Sequence, residues 1–459
     1  ASEWMEENIP LFECPQHNFE EMYYYRWWSL RKHIKETPVG YGMTEFLVQR
    51  SYSDKYNLIA CAIGHHIYES RWLRDPKYLD QIIHTWYRGN DGGPMKKMDK
   101  FSSWNADAVL ARYMVDGDKD YLLDMKKDLE TEYQRWERTN RLKNGLYWQG
   151  DVQDGMEESI SGGRRKKYAR PTINSYMYGN AKALSCIGIL SGDEGMAMKY
   201  GMRADTLKNL VENELWNTRH QFFETMRTDS SANVREAIGY IPWYFNLPDT
   251  AQKYEIAWKE IMDAKGFSAP YGLTTAERRH PEFRTRGVGK CEWDGAIWPF
   301  ASAQTLTAMA NFMNNYPQTV LSDSVYFRQM ELYVESQYHR GRPYIGEYLD
   351  EVTGYWLKGD QERSRYYNHS TFNDLIITGL IGLRPRLDNT IEVNPLIPAD
   401  KWDWFCLDNV LYHGHNLTIL WDKNGDRYHC GKGLRIFVDG KEVGHSDTLT
   451  RIVCANVLE

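Results

Sequence analysis

The sequence predicts a mainly α-helical protein, built as a toroid of helical hairpins and followed by a small antiparallel β domain. Three observations lead to this prediction. Apolar residues recur at helical spacing through most of the first 383 residues, and aspartates recur at the turns between helical stretches. After about Leu383 the pattern changes to short β-branched and aromatic runs. We therefore expect a helical domain over residues 1–384 and a β-sandwich-like domain over residues 385–459.

Amphipathic stripes give the clearest helical signal. Apolar side chains three and four residues apart share one helix face, so such a stripe predicts a helix with that face buried. The segments with this pattern are 56–73, 174–190, 207–215 and 298–312.

Aspartates mark the turns between these helices. Each of the four lies between two helical stretches, where its carboxylate can accept N–H bonds from the first turn of the next helix. These predicted caps are Asp75, Asp118, Asp193 and Asp249. Their irregular spacing of several tens of residues predicts helical hairpins separated by long functional loops.

The last 75 residues have a strand pattern. Segments 390–393, 416–421 and 433–438 alternate or run β-branched and aromatic, and Asn424-Gly425 and Asp439-Gly440 are turn sequences. This pattern predicts antiparallel strands.

Composition excludes several classes of function. The chain has 459 residues and a formal net charge of −7, which argues against a nucleic-acid surface. No apolar run is long enough to span a bilayer, so we expect no membrane partner. Seven scattered cysteines indicate neither a disulfide framework nor a zinc site, and no metal or organic cofactor is expected. We expect a periplasmic or secreted protein whose targeting segment is not part of this chain.

Aromatic content points to carbohydrate. The chain has 17 Trp and 32 Tyr, whose rings suit the C–H faces of sugars, although any single ring could equally fill the core. Hydrolysis of a glycoside needs a carboxylic acid to protonate the leaving oxygen and a carboxylate to activate water or attack the anomeric carbon. Acidic residues in loops rich in Trp, Tyr and Gly are therefore the candidates for this chemistry.

Two loops offer such acids. Segment 147–159 carries Asp151, Asp154, Glu157 and Glu158, unless it is simply a solvated acidic loop. Segment 344–354 carries Glu347 between a glycine and a tyrosine, whereas the acids that follow it fit a turn.

Two further segments could contact a sugar. Trp293, Asp294 and Trp298 precede an apolar helix, and Asp294 is either its N-cap or a ligand of a sugar hydroxyl. Residues 19–33 would form an aromatic wall or only pack a helix. The expected substrate contacts are Tyr25, Arg26, Trp27, Trp28, Trp104, Trp148, Trp293, Asp294, Trp298 and Tyr348.

At these segments the sequence resembles glycoside hydrolase family 63, including mannosylglycerate hydrolase-like proteins, and more distantly the trehalases. Segment 154–159 resembles the family's loop for the general acid, with Glu157 on the acid position and Asp154 as a rival. Segment 346–350 resembles the motif of the general base, with Glu347 on that position, and 293–299 resembles a tryptophan-rich substrate segment. The resemblance implies an (α/α)6 barrel, a six-hairpin glycosidase fold, and an exo-acting, inverting hydrolase that removes a terminal sugar.

Departures from the family pattern fall on expected substrate contacts. The acid position holds Glu157 where the family has Asp, and Asp294 replaces an arginine. The aromatic signature near the start reads Trp27-Trp28-Ser29, without the sugar-binding Asp of trehalases. These changes put a glucose substrate in question.

Other functions on the same fold stay open at this point. A sugar epimerase or polysaccharide lyase would need a histidine or tyrosine base, for which His65, His66 or Tyr178 could serve. The adjacent histidines point in different directions on a helix, so core or pocket-lining roles suit them better. A non-catalytic carbohydrate-binding protein is the other alternative. The sequence predicts neither the sugar and linkage nor the oligomeric state.

Overall fold

Six helices form a closed inner ring in the computed structural model, which describes residues 2–458. Each of these helices packs against the next, and the last packs against the first. The inner helices are Ile63–Ser70, Asn105–Asp116, Pro171–Ser191, Ile241–Tyr244, Pro299–Asn315 and Asn373–Leu375, the last extended by the π-type turn Ile376–Leu380. The predicted (α/α)6 toroid is confirmed.

A second layer of helices surrounds the inner ring. Each outer helix after the first returns the chain from the end of one inner helix to the start of the next. The outer helices are His17–His33, Pro76–Arg88, Lys119–Asn140, Glu194–Leu210, Gln252–Glu255 and Asp323–Ser336, and a short helix, Ser2–Asn8, precedes them. Because inner and outer helices alternate, all six inner helices begin at the same end of the ring.

The helical predictions were confirmed except at particular boundaries. Helices Pro171–Ser191 and Pro299–Asn315 match their predicted segments. The helix predicted from residue 56 begins only at Ile63, after two 3₁₀ turns, and the one predicted over 207–215 is the end of Glu194–Leu210 plus a π-type turn.

Three of the four predicted aspartate caps were confirmed. Asp75 accepts from the amide of Lys77, and Asp118 and Asp193 each accept from the amide three residues on. The predicted cap at Asp249 is wrong, because Ala251 is the N-cap of the following short helix. The Asp249 carboxylate instead pairs with Lys208.

The tail forms the predicted antiparallel sheet. Its five strands, in spatial order, are Leu11–Glu13, Trp404–Tyr412, His415–Asp422, Gly433–Val438 and Lys441–Ser446. Ile391–Val393 and Ile452–Cys454 form a separate pair. Asp439 and Gly440 make the predicted two-residue hairpin with positive φ at both positions, whereas Asn424-Gly425 lies inside a longer loop.

The first strand of this sheet comes from the other end of the chain. Leu11–Glu13 pairs with Trp404–Tyr412 and adds an edge strand to the tail. Sequence reading did not anticipate this strand or the pairing. The boundary at residue 384 stays a prediction.

Short two-stranded hairpins project from the loops of the toroid. They are Ile34–Thr37 with Gly40–Met43, Trp148–Gln149 with Tyr168–Ala169, Trp216–Asn217 with Phe222–Phe223, Ser268–Ala269 with Gly272–Leu273, and Tyr338–His339 with Arg342–Pro343. All seven cysteines are free thiols. Within residues 2–458, no helix has the length and apolar content needed to cross a membrane.

Candidate active site

The loops that carry the candidate residues all lead into inner helices. Glu157 lies before Pro171–Ser191, Trp298 directly before Pro299–Asn315, and Glu347 before Asn373–Leu375. Since the inner helices all begin at one end of the ring, these loops meet at that end. The helix N-termini there also present positive dipole ends toward carboxylates.

Glu157 is the carboxyl group with the environment of an acid. Burial, together with the negative charges of Asp151 and Glu347, raises the pKa of Glu157 to about 7. Within the described chain its carboxyl forms no ion pair. A group with this pKa is protonated in a large fraction of molecules near neutral pH.

Glu347 lies in a different electrostatic setting. Its side chain is 5% exposed, and its Oε2 lies 3.3 Å from the Arg363 guanidinium and 3.8 Å from the Lys358 ammonium. The Ser364 hydroxyl donates to the same oxygen at 3.4 Å. Among residues 2–458, no side chain holds Oε1, which leaves that oxygen available to a water or a substrate.

A third buried carboxyl group, Glu45, lies close enough to Glu347 and Glu157 for their charges to interact. Burial raises its pKa to about 8, with added contributions from the charges of Glu347 and Glu157. Its Oε1 accepts a hydrogen bond of 2.6 Å from the Tyr367 hydroxyl, and its buried Oε2 has no partner among the described residues. Glu45 was not predicted from the sequence, because this residue lies in no acidic loop or recognisable motif.

Three stacked rings, called here the three-ring wall, adjoin Glu347, which directly precedes one of them in the chain. Trp293 stacks on Trp298 at 4.4 Å between ring centres, and Trp298 stacks on Tyr348 at 4.6 Å. Reciprocal backbone hydrogen bonds of 3.0 Å between Ile297 and Leu349 hold the last two rings side by side. The structure thus brings together these three sequence-predicted contacts next to Glu347.

Buried polar atoms without partners cluster beside this wall. The indole N–H groups of Trp293 and Trp298 lack acceptors among the described residues, and both ring nitrogens of His369 lack partners there as well. His369 lies 6.1 Å from Trp298 and 4.0 Å from Tyr367, between ring centres. Because buried polar groups are normally paired, a group of unpaired ones indicates where a polar ligand or water binds.

Asp154, the rival acid, occupies a buried structural ion pair. Its Oδ2 lies 2.6 Å from Nε of Arg170, and both side chains are fully buried. Hydroxyls of Thr172 and Ser102 donate to its two oxygens. With both oxygens engaged, Asp154 is placed to hold the loop onto the start of helix Pro171–Ser191.

Asp294 is not the helix N-cap that the sequence allowed. The N-cap of Pro299–Asn315 is Trp298, which makes no side-chain cap. Asp294 is fully buried, and its Oδ2 accepts from the amides of Arg286, at 2.6 Å, and Gly287, at 2.9 Å. Asp294 therefore shapes this loop through Oδ2, while its buried Oδ1 has no partner among the described residues. The contact with a sugar hydroxyl stays a prediction.

Arg26 and Trp27, predicted as substrate contacts in helix His17–His33, are both buried. Trp27 is fully buried in the core. The Arg26 guanidinium donates to the side chain of Gln337 and to the carbonyl oxygen of Ser370, so it ties two segments together below the cavity. Packing accounts for the position of both side chains, and their contact with a sugar stays a prediction.

Tyr25 and Trp28 lie on the outside of the toroid. Their rings are 5.7 Å apart and pack around Tyr366. Tyr25 lines an open cleft of about 730 Å³, together with Arg342 and other residues of mixed charge. Among the described residues neither ring stacks on the three-ring wall, and their roles as substrate contacts stay predictions.

The two remaining tryptophans have different positions. Trp104 is fully buried, and its ring lies 5.0 Å from that of His65 on the cavity's inner side. Trp148 is half-buried in a shallower cleft on the loop that carries Glu157.

The candidate bases of the alternative functions have core environments. Burial lowers the pKa of His66 to about 4 and holds the pKa of His65 well below its usual range. His66 Nε2 hydrogen-bonds to the carbonyl oxygen of Asn368 at 2.7 Å. Tyr178 has its pKa raised to about 12 by burial and by Asp205 and other acids away from Glu157. Within residues 2–458, no cluster of three His, Cys, Asp or Glu is arranged to hold a metal ion.

Comparison with known families gives two matches. A family model described as "Mannosylglycerate hydrolase MGH1-like glycoside hydrolase domain" matches residues 55–370. A second, described as "Glycosyl hydrolase family 65, C-terminal domain", matches residues 383–445. The first match contains Glu157, Glu347 and the three-ring wall.

Solved structures show the same fold. A chain named "Sialidase" is 95% identical over 99% of this chain, with a TM-score of 0.99, and this chain spans only 42% of its length. A GH63 mannosylglycerate hydrolase from Thermus thermophilus is 12% identical over 76% of this chain and 98% of its own, with a TM-score of 0.58. A GH78 family rhamnosidase of Bacillus sp. GL1 is 10% identical over 94% of this chain and 41% of its own, with a TM-score of 0.62. The last two similarities show the fold alone.

Proposed function

Because the chain belongs to the mannosylglycerate hydrolase MGH1-like glycoside hydrolase family, we propose that it removes a terminal sugar from an oligo- or polysaccharide with inversion of configuration. The observation that carries this proposal is the contrast between two carboxyl groups whose charges interact. Glu157 has a pKa near 7, whereas Glu347 is held between two cations. Such a difference in environment is how glycosidases divide acid and base roles between two carboxyls.

Glu157 is the proposed general acid. Its pKa of about 7 keeps a proton available to the leaving oxygen at neutral pH. Asp154 does not suit this role, because its ion pair with Arg170 and its two hydroxyl donors engage both of its oxygens. We assign Asp154 to positioning the loop on which Glu157 lies.

Glu347 is the proposed general base. Its Oε2 is anchored by Arg363, Lys358 and Ser364, so the side chain is fixed while Oε1 can accept a proton from water. Inversion requires room for this water, and the two carboxyl groups should therefore lie roughly 6.5–9.5 Å apart when a substrate is bound.

The burial of the three rings favours action at a chain end. Trp293, Trp298 and Tyr348 are each no more than 3% exposed, so a sugar in contact with them must enter a confined space. Unpaired Glu45 Oε2 and the unpaired indole N–H groups supply hydrogen-bonding partners for hydroxyls. A terminal sugar fits such a space more readily than the middle of a polymer.

Two of the three candidate bases for a lyase or epimerase have unsuitable surroundings, whereas His65, like His369, keeps ring nitrogens that are unpaired among the described residues. A lyase or epimerase base must reach a carbon-bound proton, yet His66 is bonded to a backbone carbonyl and Tyr178 lies among other acids. A purely binding role would not require the opposed environments of Glu157 and Glu347.

Substitution of the two carboxyls tests the proposal. Once a substrate has been found in a glycan screen, Glu157→Gln and Glu347→Gln should each lower turnover at least about 100-fold, because each removes a proton-transfer step. Sugar binding, measured by calorimetry, should persist in both. Glu158→Gln is the matched control, since Glu158 neighbours the proposed acid but pairs with Arg164 at the surface.

Full turnover in either of the first two variants would contradict the proposed roles. An equal loss in Glu158→Gln would show that disturbing the loop, rather than removing the acid, explains the effect.

A further inference from the structure

A strongly basic cleft lies beside the loop that carries Glu157. We use the name basic cleft for the depression of about 390 Å³ between Trp148 and the segment 164–167. Its cationic lining residues are Lys100, Arg164, Arg165, Lys166 and Lys167. This concentration of positive charge contrasts with the net charge of −7 of the whole chain.

Most of this positive charge is not neutralised locally. The acid that lines the basic cleft, Asp99, pairs with Arg135 at 2.8 Å, and Arg164 pairs with Glu158 at the same distance. Within residues 2–458, no carboxylate lies within ion-pair distance of Arg165, Lys166 or Lys167, all of which are exposed. Together with Lys100, which likewise has no ion pair among the described residues, the cleft therefore offers four cations to a ligand, three of them exposed.

Geometry connects the basic cleft to the proposed acid. Gly150 and Gln153, which line the cleft, belong to the same loop as Glu157. The charges of Arg164 and Lys100 also interact with the Glu157 carboxyl. Since a general acid stands beside the leaving group, the basic cleft lies on the leaving-group side of the cavity.

We propose that the basic cleft binds the carboxylate of a uronic acid residue on the leaving-group side, so that the substrate is an acidic glycan. This inference rests on the proposed hydrolytic function for its orientation relative to the scissile bond. Lysine and arginine form charge-assisted hydrogen bonds with carboxylates.

An aromatic ring in the same cleft favours a sugar acid over other anions. Trp148 is half-buried there, and the Lys167 ammonium lies 4.4 Å from its ring centre. An apolar ring next to cations matches a uronate, which has a C–H surface adjoining a carboxylate. A neutral sugar would leave the cations of the cleft without partners. Binding of a nucleic acid would not explain why the cleft is built on the same loop as Glu157.

Binding of matched acidic and neutral oligosaccharides tests the inference. The probes are four-residue oligosaccharides of galacturonan, glucuronoxylan and alginate, each with its carboxyl-reduced counterpart, titrated into the whole chain by calorimetry. At least one acidic probe should bind about tenfold more tightly than its reduced form, as expected for one hydrogen-bonded charge. The preference should weaken as salt rises, because the cleft is exposed.

A triple variant locates this preference. Arg165→Ala, Lys166→Ala and Lys167→Ala together should weaken binding of the acidic probe about tenfold and leave the reduced probe unaffected. Arg342→Ala is the matched control, since it removes an exposed arginine from the separate outer cleft and should change neither affinity. Circular dichroism should show the triple variant to be folded, because surface substitutions rarely change stability by more than about 0.5 kcal/mol.

Two results would overturn the inference: equal affinity for every acidic probe and its reduced form, or an acidic preference that survives in the triple variant. Tighter binding of a single-stranded DNA oligonucleotide than of every uronate probe would also overturn it. These measurements report binding without turnover. Their outcome is therefore independent of the proposed hydrolytic function, which Glu157→Gln and Glu347→Gln test.

Discussion

At the scale of single residues, two acids three positions apart on one loop have opposite surroundings. Asp154 is buried against Arg170, whereas Glu157 faces the cavity without an ion pair among the described residues. The spacing of acids in the sequence does not distinguish them, because both follow the same loop motif. The distinction arises from Arg170, which the fold brings under Asp154 at the start of an inner helix.

Substitution should separate the structural acid from the catalytic one. Asp154→Asn leaves Arg170 as a buried charge without its partner, so we expect the free energy of unfolding to fall by about 3–5 kcal/mol. Glu157→Gln removes no ion pair and replaces a carboxyl group that burial disfavours in its ionised form, so it should not lower stability, while turnover should fall at least about 100-fold. Thermal and urea unfolding of the two variants provide the measurement. Equal stability of both would show that the Asp154–Arg170 pair contributes little.

The pKa of Glu157 also predicts the pH dependence of the reaction. A general acid must be protonated, and the Glu157 pKa is about 7, so kcat/KM should fall as pH rises through about 7. Initial rates from about pH 5 to about pH 9 provide the measurement, with thermal stability followed across the same range as the control. A kcat/KM that stays constant to the alkaline end of this range would exclude Glu157 as the acid.

Sequence reading identified some cavity residues and missed others for a physical reason. Glu347, Trp293 and Trp298 lie in motifs rich in Gly, Trp and Tyr, which marked them as candidates. Glu45 and His369 lie in ordinary loop sequence, and only the closing of the ring brings them next to Glu347. The sequence offered only one indication for Glu45, namely its position in a loop that leads into a helix, and this indication is weak.

At the scale of helices, the cap aspartates were the most reliable signal. Asp75, Asp118 and Asp193 each accept an amide N–H at the start of an outer helix, which local chemistry alone dictates. The helix beginning at Ile63 starts later than its apolar pattern, because 55–57 and 60–62 form 3₁₀ turns instead. Apolar periodicity does not distinguish such turns from a helix.

Close packing of an inner and an outer helix depends on one glycine. A Cβ on Gly188 would meet the backbone nitrogen of Ala197 at 2.5 Å, and neither helix can yield locally. Gly188→Ala should therefore lower stability by about 1–3 kcal/mol. On the facing helix, a Cβ on Gly201 would meet Ser185 Oγ at an ordinary 3.4 Å, so Gly201→Ala should raise stability by up to about 1 kcal/mol. Thermal unfolding that moves in the same direction for both variants would contradict this packing.

At the scale of the whole molecule, the toroid was predictable from the sequence, whereas the pairing of the two ends of the chain was not. Alternating helices with capped turns indicated hairpins, and the family resemblance gave their number. Pairing of Leu11–Glu13 with Trp404–Tyr412 joins segments from the two ends of the chain. A three-residue strand has too little pattern to be recognised, and no local signal specifies such a distant partner.

The same scale explains why the proposed catalytic residues gather at one end of the toroid. Six inner helices begin there, and each preceding loop can place side chains over the central cavity. The residues of these loops, rather than the helices themselves, therefore determine which side chains meet at this end. This arrangement accounts for contributions to one cavity from positions as distant as Glu45 and Glu347.

The configuration of the first-formed product tests the central claim most directly. Proton NMR during the first minutes of hydrolysis distinguishes the two anomers before they equilibrate. If Glu157 protonates the leaving oxygen while Glu347 directs water to the opposite face, an α-linked substrate should release the β-anomer first. Release of the α-anomer first would contradict this division of roles between the two carboxyls.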